Sequence, residues 1–362
     1  MFYYFLPQLS DHFILFNLFN YISFRSGGAI ITALLITLFF GPKIISVLKR
    51  NQKNGQPIRD DGPIEHIIKK KGTPTMGGFM ILFSLAISIF LWADLRNIYV
   101  WAVIIIMFGF GLVGFFDDYL KLYRGTSKGI SAKLKILLQI IVALITSYLL
   151  VKFTDPEIAT TLSFPFFKNL MIDLGIFFIP FSIFVIVGAS NSVNLTDGLD
   201  GLAIVPVMVV AASFAAISYL VGNAFFANYL QIPFVGGAGE LTVICASLVG
   251  AGLGFLWFNA PPAMVFMGDT GSLSLGGILG TVSVITKNEF VLAIIGGMFV
   301  LETISVMVQV ISFKLTGKRV FKMAPIHHHF EKKGWPESTI VVRFWIITVI
   351  LALIGLVTLK IR

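Results

Sequence analysis

Long apolar runs recur along this chain and limit it to a small set of architectures. Ten occur, at about 27–48, 76–93, 97–116, 134–152, 169–189, 201–221, 241–258, 263–286, 290–312 and 339–359. Each approaches the roughly 20 residues that a helix needs to cross ~30 Å of hydrocarbon. None shows the short alternation of a lipid-facing barrel strand, and lipid leaves no partner for an open backbone, so helices are the reading. Composition agrees: 57% of the 362 residues are hydrophobic and 12% are charged, against about a quarter charged in soluble domains. The expectation is an all-α polytopic membrane protein with about ten transmembrane helices, organised as one domain over residues 1–362. Within it, residues 1–26 form an interfacial segment. That segment is rich in Phe and Tyr but broken by Pro7, Asp11 and His12, and it lacks the basic head of a signal peptide. The single cysteine, Cys245, lies inside an apolar run and has no partner for an intrachain disulfide.

The net charge of +9 follows the membrane, not a nucleic acid, and no nucleic-acid partner is expected. Lys49, Arg50, Lys53, Arg59, Lys69, Lys70 and Lys71 follow the first helix, whereas Arg96 alone follows the second. The third loop carries Lys121, Arg124, Lys128, Lys133 and Lys135, the fourth only Lys152 and Lys168. Lys314, Lys318, Arg319, Lys322, Lys332 and Lys333 follow the ninth. The first, third and ninth loops are therefore basic, which places the odd-numbered loops in the cytoplasm and both termini outside. The fifth and seventh loops have no basic residue and are assigned by parity, while Lys360 and Arg362 run against the rule.

With that topology the unusual polar clusters share the cytoplasmic side. They are Lys70 to Gly78, Asp117-Asp118, Asn191 to Gly201, Asn259 with Phe266 to Gly271, and Pro325 to Glu331. A transporter is expected to keep its coupling residues near mid-membrane, whereas one-sided clusters fit an enzyme that meets a water-soluble substrate. Each cluster also has an ordinary account. Asp117 and Asp118 could balance Lys121 and Arg124 at a helix end, and because neighbouring helical residues diverge by ~100° they should not share one task. Asn194, Asp197 and Asp200 are spaced to share a helix face or to build a turn. Asp269, between Gly268 and Thr270-Gly271, is a helix cap or a cation ligand beside small neighbours. Three acidic groups on one membrane face favour a hard cation such as Mg²⁺, which takes a few carboxylates together with waters and phosphates. His327, His328 and His329 lack a zinc-site spacing and are better suited to steadying phosphate oxygens. Glu302 and Gln309 lie in the ninth run; Gln309 is placed either to contact a substrate base or to bond between helices.

Five strings together resemble the bacterial phospho-N-acetylmuramoyl-pentapeptide transferases, within the polyprenyl-phosphate N-acetylhexosamine 1-phosphate transferase superfamily. They are Lys71-Gly-Thr-Pro-Thr-Met-Gly-Gly78, Asp117-Asp118-Tyr119, Asn191 to Gly201, Met267-Gly-Asp-Thr-Gly271 and Pro325-Ile-His-His-His-Phe-Glu331. The resemblance implies transfer of phospho-MurNAc-pentapeptide from UDP-MurNAc-pentapeptide to undecaprenyl phosphate, giving lipid I and UMP with Mg²⁺. It further implies a cytoplasmic-face active-site cleft in the bacterial inner membrane, embedded in the lipid bilayer, often in a homodimer. Asp269 is then the main metal ligand and Asp117 the second. Asp118 acts on the lipid phosphate, with the reverse allocation of the pair open. Lys71, Lys121 and Lys133 hold phosphates, and Asn194, Asp197 and Asp200 position the uridine and metal-bound waters. His328, flanked by His327 and His329, steadies the pyrophosphate; Thr75, Phe266 and Gln309 complete the expected substrate contacts. A covalent route through an Asp nucleophile stays open. A sister transferase using UDP-N-acetylhexosamine and a proton-coupled transporter working through Glu302 are the alternatives.

Overall fold

The computed structural model describes residues 1–52, 55, 70, 72–167 and 170–361. Lys71, one of the expected phosphate contacts, lies outside the described residues.

All ten apolar runs form helices. They are α1 (Ile22–Asn51), α2 (Gly78–Trp92), α3 (Ile98–Arg124), α4 (Ala132–Phe153), α5 (Phe178–Thr196), α6 (Ile204–Val221), α7 (Leu241–Asn259), α8 (Gly268–Ile285), α9 (Gly297–Thr316) and α10 (Glu337–Ile361). The chain is an all-α polytopic membrane protein. Among the described residues eight helical segments are long and apolar enough to cross a membrane on those grounds alone. The two exceptions are α2, with 15 residues, and α8. The second is informative. Every residue of α8 except Asp269 is buried, so the helix faces protein, and its Gly and Ser residues admit close neighbours where lipid-facing helices carry bulk. It packs chiefly on α3 and α5, and the site is built around its first turn.

Several boundaries differ from the sequence reading. The run expected to be helical from 169 instead contributes Met171–Asp173 to an antiparallel hairpin with Thr161–Ser163, and α5 extends to Thr196. Asn191 and Asn194 are therefore helical residues. The ninth run is divided: a short helix, Glu289–Ile295, precedes Gly296 and α9. At the N-terminus, Phe2, Phe19 and Phe24 pack their rings 5.2, 5.5 and 6.2 Å from that of Trp92, which ties the opening segment to α2. Nearby, buried Arg25 donates from Nη1 and Nη2 to the two carboxylate oxygens of Glu240 at 2.7 and 2.6 Å. This paired charge joins α1 to the start of α7 at the end of the bundle away from the acidic clusters.

Candidate active site

The C-terminal turns of α3, the starts of α2, α4, α8 and α10, and the ends of α1, α5 and α9 all supply polar contacts at one end of the bundle. Asp117 and Asp118 lie one to two turns before α3 stops at Gly125, which adopts φ +61°. Helical divergence separates their partners. Asp117 accepts from the Ile130 N–H at 2.8 Å through Oδ1 and pairs through Oδ2 with Lys121 Nζ at 2.6 Å. Asp118, 1% exposed, turns to α8. It accepts from the Asp269 N–H at 3.1 Å, the Thr270 N–H at 3.0 Å and the Thr270 hydroxyl at 2.8 Å. The first N–H groups of a helix lack intrahelical partners, and α8 has no capping side chain of its own; α3 supplies the carboxylate instead. Gly268 allows this approach. Its φ is +72°, and a Cβ there would stand 2.6 Å from Asp118 Oδ2 and 2.7 Å from Thr75 Oγ1.

Capping α8 in this way delivers the Asp269 carboxylate beside the other two. Asp269 accepts from Lys135 Nζ and from Asn194 Nδ2, the latter at 2.9 Å, and stands 3.2 Å from Lys121 Nζ. Asn194 also donates to Ser272 Oγ at 2.8 Å. One oxygen from each of Asp117, Asp118 and Asp269 lies within 4.8 Å of the others. The donor set is oxygen only, as a hard divalent cation prefers, and three carboxylates face two ammonium groups, leaving net negative charge. Mg²⁺ fits this set. Asp117 and Asp269 have the oxygens suited to hold it, because the carboxylate edges they present to each other are met by lysines that a metal ion would release. Asp118 already accepts three hydrogen bonds from α8.

Lys135 was not among the expected site residues; Lys133 was. The structure brings Lys135 to Asp269 and to within 3.7 Å of Asp117 Oδ2, while Lys133 is exposed. The signal lay in helical spacing: Lys135 precedes Gln139 by four residues on the buried stripe of α4 that continues through Ala143, Thr146, Ser147 and Leu150. Lys135→Ala is expected to lower turnover about 100-fold, since a charge pair around reacting groups is lost, whereas Lys133→Ala stays within twofold. Equal effects of the two substitutions on turnover would remove Lys135 from the site.

A second group adjoins the first. Lys70 Nζ lies 2.8 Å from Asp200 Oδ1 and 2.7 Å from Glu337 Oε1, with the ring of Phe266 centred 6.0 Å away. Burial opposes the Lys70 charge, yet Glu337 and Asp200 outweigh it and raise the pKa. Asp200 also accepts from the Ala263 N–H at 2.9 Å and donates its own N–H to Glu337 at 3.0 Å. Glu337 had not been anticipated; its position directly after Pro336, at a helix start, signalled a cap only. The Gly-rich string is held by Gln52, whose amide accepts from the Thr75 N–H at 2.9 Å and donates to the Thr75 carbonyl at 3.1 Å. Thr75 Oγ1 is buried with no hydrogen-bond partner among the described residues. The N–H groups of Gly77 and Gly78 donate to the carbonyls of Phe266 and Met267, both at 2.8 Å.

Asp197 connects the two groups. Burial, then the nearby charges of Asp269, Asp118 and Asp200, push its carboxyl up to about 7. A carboxyl raised above its unfolded value holds a proton in the folded protein that the unfolded chain has lost. Stability is therefore expected to fall as pH rises from about 4 through 7. In metal-free buffer the thermal stability of Asp197→Asn relative to the native chain should increase between pH 5 and pH 8. A pH-independent difference would place the Asp197 charge elsewhere.

The three histidines have different surroundings. His327 is buried and its Nδ1 lies 3.0 Å from Glu302 Oε1; His328 Nδ1 lies 2.5 Å from Glu331 Oε2; His329 Nδ1 accepts from the Lys322 N–H at 3.0 Å. Burial, with Lys333 and Lys322 nearby, lowers the His329 pKa. Among the described residues the group able to hold a metal consists of the three aspartates, with no histidine. Gln309 accepts from the N–H groups of Val320 and Phe321 and donates to the Phe321 carbonyl at 3.0 Å, so its amide is turned to the following loop.

The sequence model described as glycosyl transferase family 4 matches residues 100–287, more than half of the chain. That stretch contains Asp117, Asp118, Lys121, Lys135, Asn194, Asp197, Asp200 and Asp269; Lys70, Glu302 and the histidines lie outside it. The chain belongs to glycosyl transferase family 4, and is a membrane-embedded phospho-sugar transferase that works with a polyprenyl phosphate.

Proposed function

We propose that this transferase moves phospho-MurNAc-pentapeptide from UDP-MurNAc-pentapeptide to undecaprenyl phosphate, releasing UMP, at the cytoplasmic face of the bacterial inner membrane. The observation that carries the chemistry is the meeting of Asp117, Asp118 and Asp269 with Lys121 and Lys135. The MurNAc-pentapeptide branch rests on the Pro325 to Glu331 string, and the sidedness on the basic first, third and ninth loops.

The reaction brings two phosphate-bearing molecules together, so the site must offset negative charge and align the attacking and leaving oxygens. Asp117 and Asp269 would hold Mg²⁺, which would supply positive charge to offset the diphosphate and the departing UMP oxygen. Lys121 and Lys135, released from the carboxylates, turn their ammonium groups to phosphate oxygens. A phosphate oxygen of the lipid forms a bond to the phosphorus nearest the sugar, and the bond from that phosphorus to the oxygen retained by UMP breaks. Asp118 acts through Asp269 as a positioning residue. Lys70, Asp200 and Phe266 receive the nucleotide end of the donor.

Purified protein supplied with undecaprenyl phosphate, UDP-MurNAc-pentapeptide and Mg²⁺ should release UMP and form a lipid-linked product. Excess EDTA should stop both; full turnover in EDTA would sink the metal assignment. With UDP-N-acetylhexosamine competing in the same assay, preferential use of that donor would identify a sister transferase. Substrate flux into sealed vesicles without UMP release would favour transport.

A further inference from the structure

Glu302 has no task in the chemistry above, yet it is fully buried within α9. A carboxylate at that depth is costly unless partnered. Both its oxygens serve the histidine segment: Oε2 accepts from the Ile326 N–H at 2.8 Å, and Oε1 lies 3.0 Å from His327 Nδ1. A carboxylate accepts only, so the ring proton resides on Nδ1. The other nitrogen, Nε2, is buried and has no hydrogen-bond partner among the described residues. A proton there would be an unsatisfied buried donor, an arrangement that folded proteins avoid. The bare nitrogen instead rests on Gly198, where an added Cβ would stand 2.3 Å from Nε2.

Gly198 lies between Asp197 and Asp200. A line of contact thus runs from the interior of α9 through a fixed imidazole to the turn that bears both acids, and Asp200 of that turn holds Lys70. We propose that Glu302, His327 and Gly198 form a latch that sets the position of the Asp197 to Asp200 turn. Glu302 and His327 are positioning residues in it: Glu302 selects the imidazole tautomer whose unprotonated edge can lie against the glycine. The effect on donor binding rests on the transferase reading; the tautomer does not.

The first test is ¹⁵N magnetic resonance of histidine-labelled native protein in bilayers, with His327→Asn to assign the signal. His327 should carry its proton on Nδ1 alone; protonation at Nε2 would overturn the latch. Glu302→Gln keeps the size and an acceptor for Ile326, but its amide donates to Nδ1 and moves the ring proton to Nε2. This variant should raise the KM for the UDP-linked donor roughly tenfold, with the KM for polyprenyl phosphate within twofold, since an interaction used in ground-state binding is lost. Gly198→Ala should raise the same KM while the tautomer stays on Nδ1. Unchanged donor KM in both variants would overturn the positioning role, as would a uniform loss of kcat that tracks lowered thermal stability. If the native protein releases no UMP, the transferase reading fails while the tautomer measurement still decides the latch.

Discussion

Asp269→Asn is expected to lower turnover about 1,000-fold or more at saturating donor, the scale of removing one electrostatic element from a preorganised site. Asp269 is the carboxylate at which the site converges: Lys121, Lys135 and Asn194 all address it. The amide keeps the volume and one of the two acceptors, enough for Asn194 but not also for Lys135, and it leaves the Asp118 cap of α8 intact, so the fold should survive with a modest change in thermal midpoint. What disappears is the negative charge that, with Asp117, suits a hard cation. The measurement is UMP release over a Mg²⁺ titration: the variant should stay inactive at every metal concentration. Turnover above a tenth of native would mean that the charge of Asp269 is not required.

Asp118→Asn should have a comparable effect on turnover by a different route. The carboxylate accepts from two backbone N–H groups and one hydroxyl at the start of α8, and hydrogen bonds to a charged group are worth roughly 1.5–3 kcal/mol each. Asparagine retains one acceptor and turns an N–H toward donors, so loss of about 3 kcal/mol or more is expected. The first turn of α8 then shifts, and Asp269 with it. Thermal stability should fall without substrate or metal present, and turnover should fall alongside. If turnover were lost with stability intact, Asp118 would be acting on substrate directly and the capping account would fail. The pair that looks equivalent in sequence is thus expected to separate experimentally: Asp117→Asn should spare stability far more than Asp118→Asn.

The helices were legible because apolar length is a one-dimensional property. All ten runs form helices, and α8 was found although its Gly- and Ser-rich sequence is less lipophilic than the rest. The hairpin at 161–173 was hidden because its strands are three residues long, too short for a period to register. In the site, Asp269 and Asn194 could be nominated from acid and amide density alone. Lys133 and Lys135 are equivalent as loop charges, and only the face of α4 that continues inward through Gln139 and Ala143 separates them. Glu337 and Gln52 carried no motif, since their roles lie in contacts with Lys70 and Thr75 made across long sequence separations. Gln309 and His327 show the converse: a residue type suited to substrate is turned by its neighbours toward Phe321 in one case and Glu302 in the other.

From the order of residues alone came the membrane class, the sidedness expected from the basic loops and the chemical kinds of group available, because hydropathy, charge and residue type are local. The division of labour between Asp117 and Asp118 was decided only in three dimensions. One step along a helix turns a side chain by ~100°, and what it then meets depends on the packing of another helix. Here that helix is α8: its uncapped first turn takes Asp118, and in doing so it brings Asp269 to Asp117, Lys121 and Lys135.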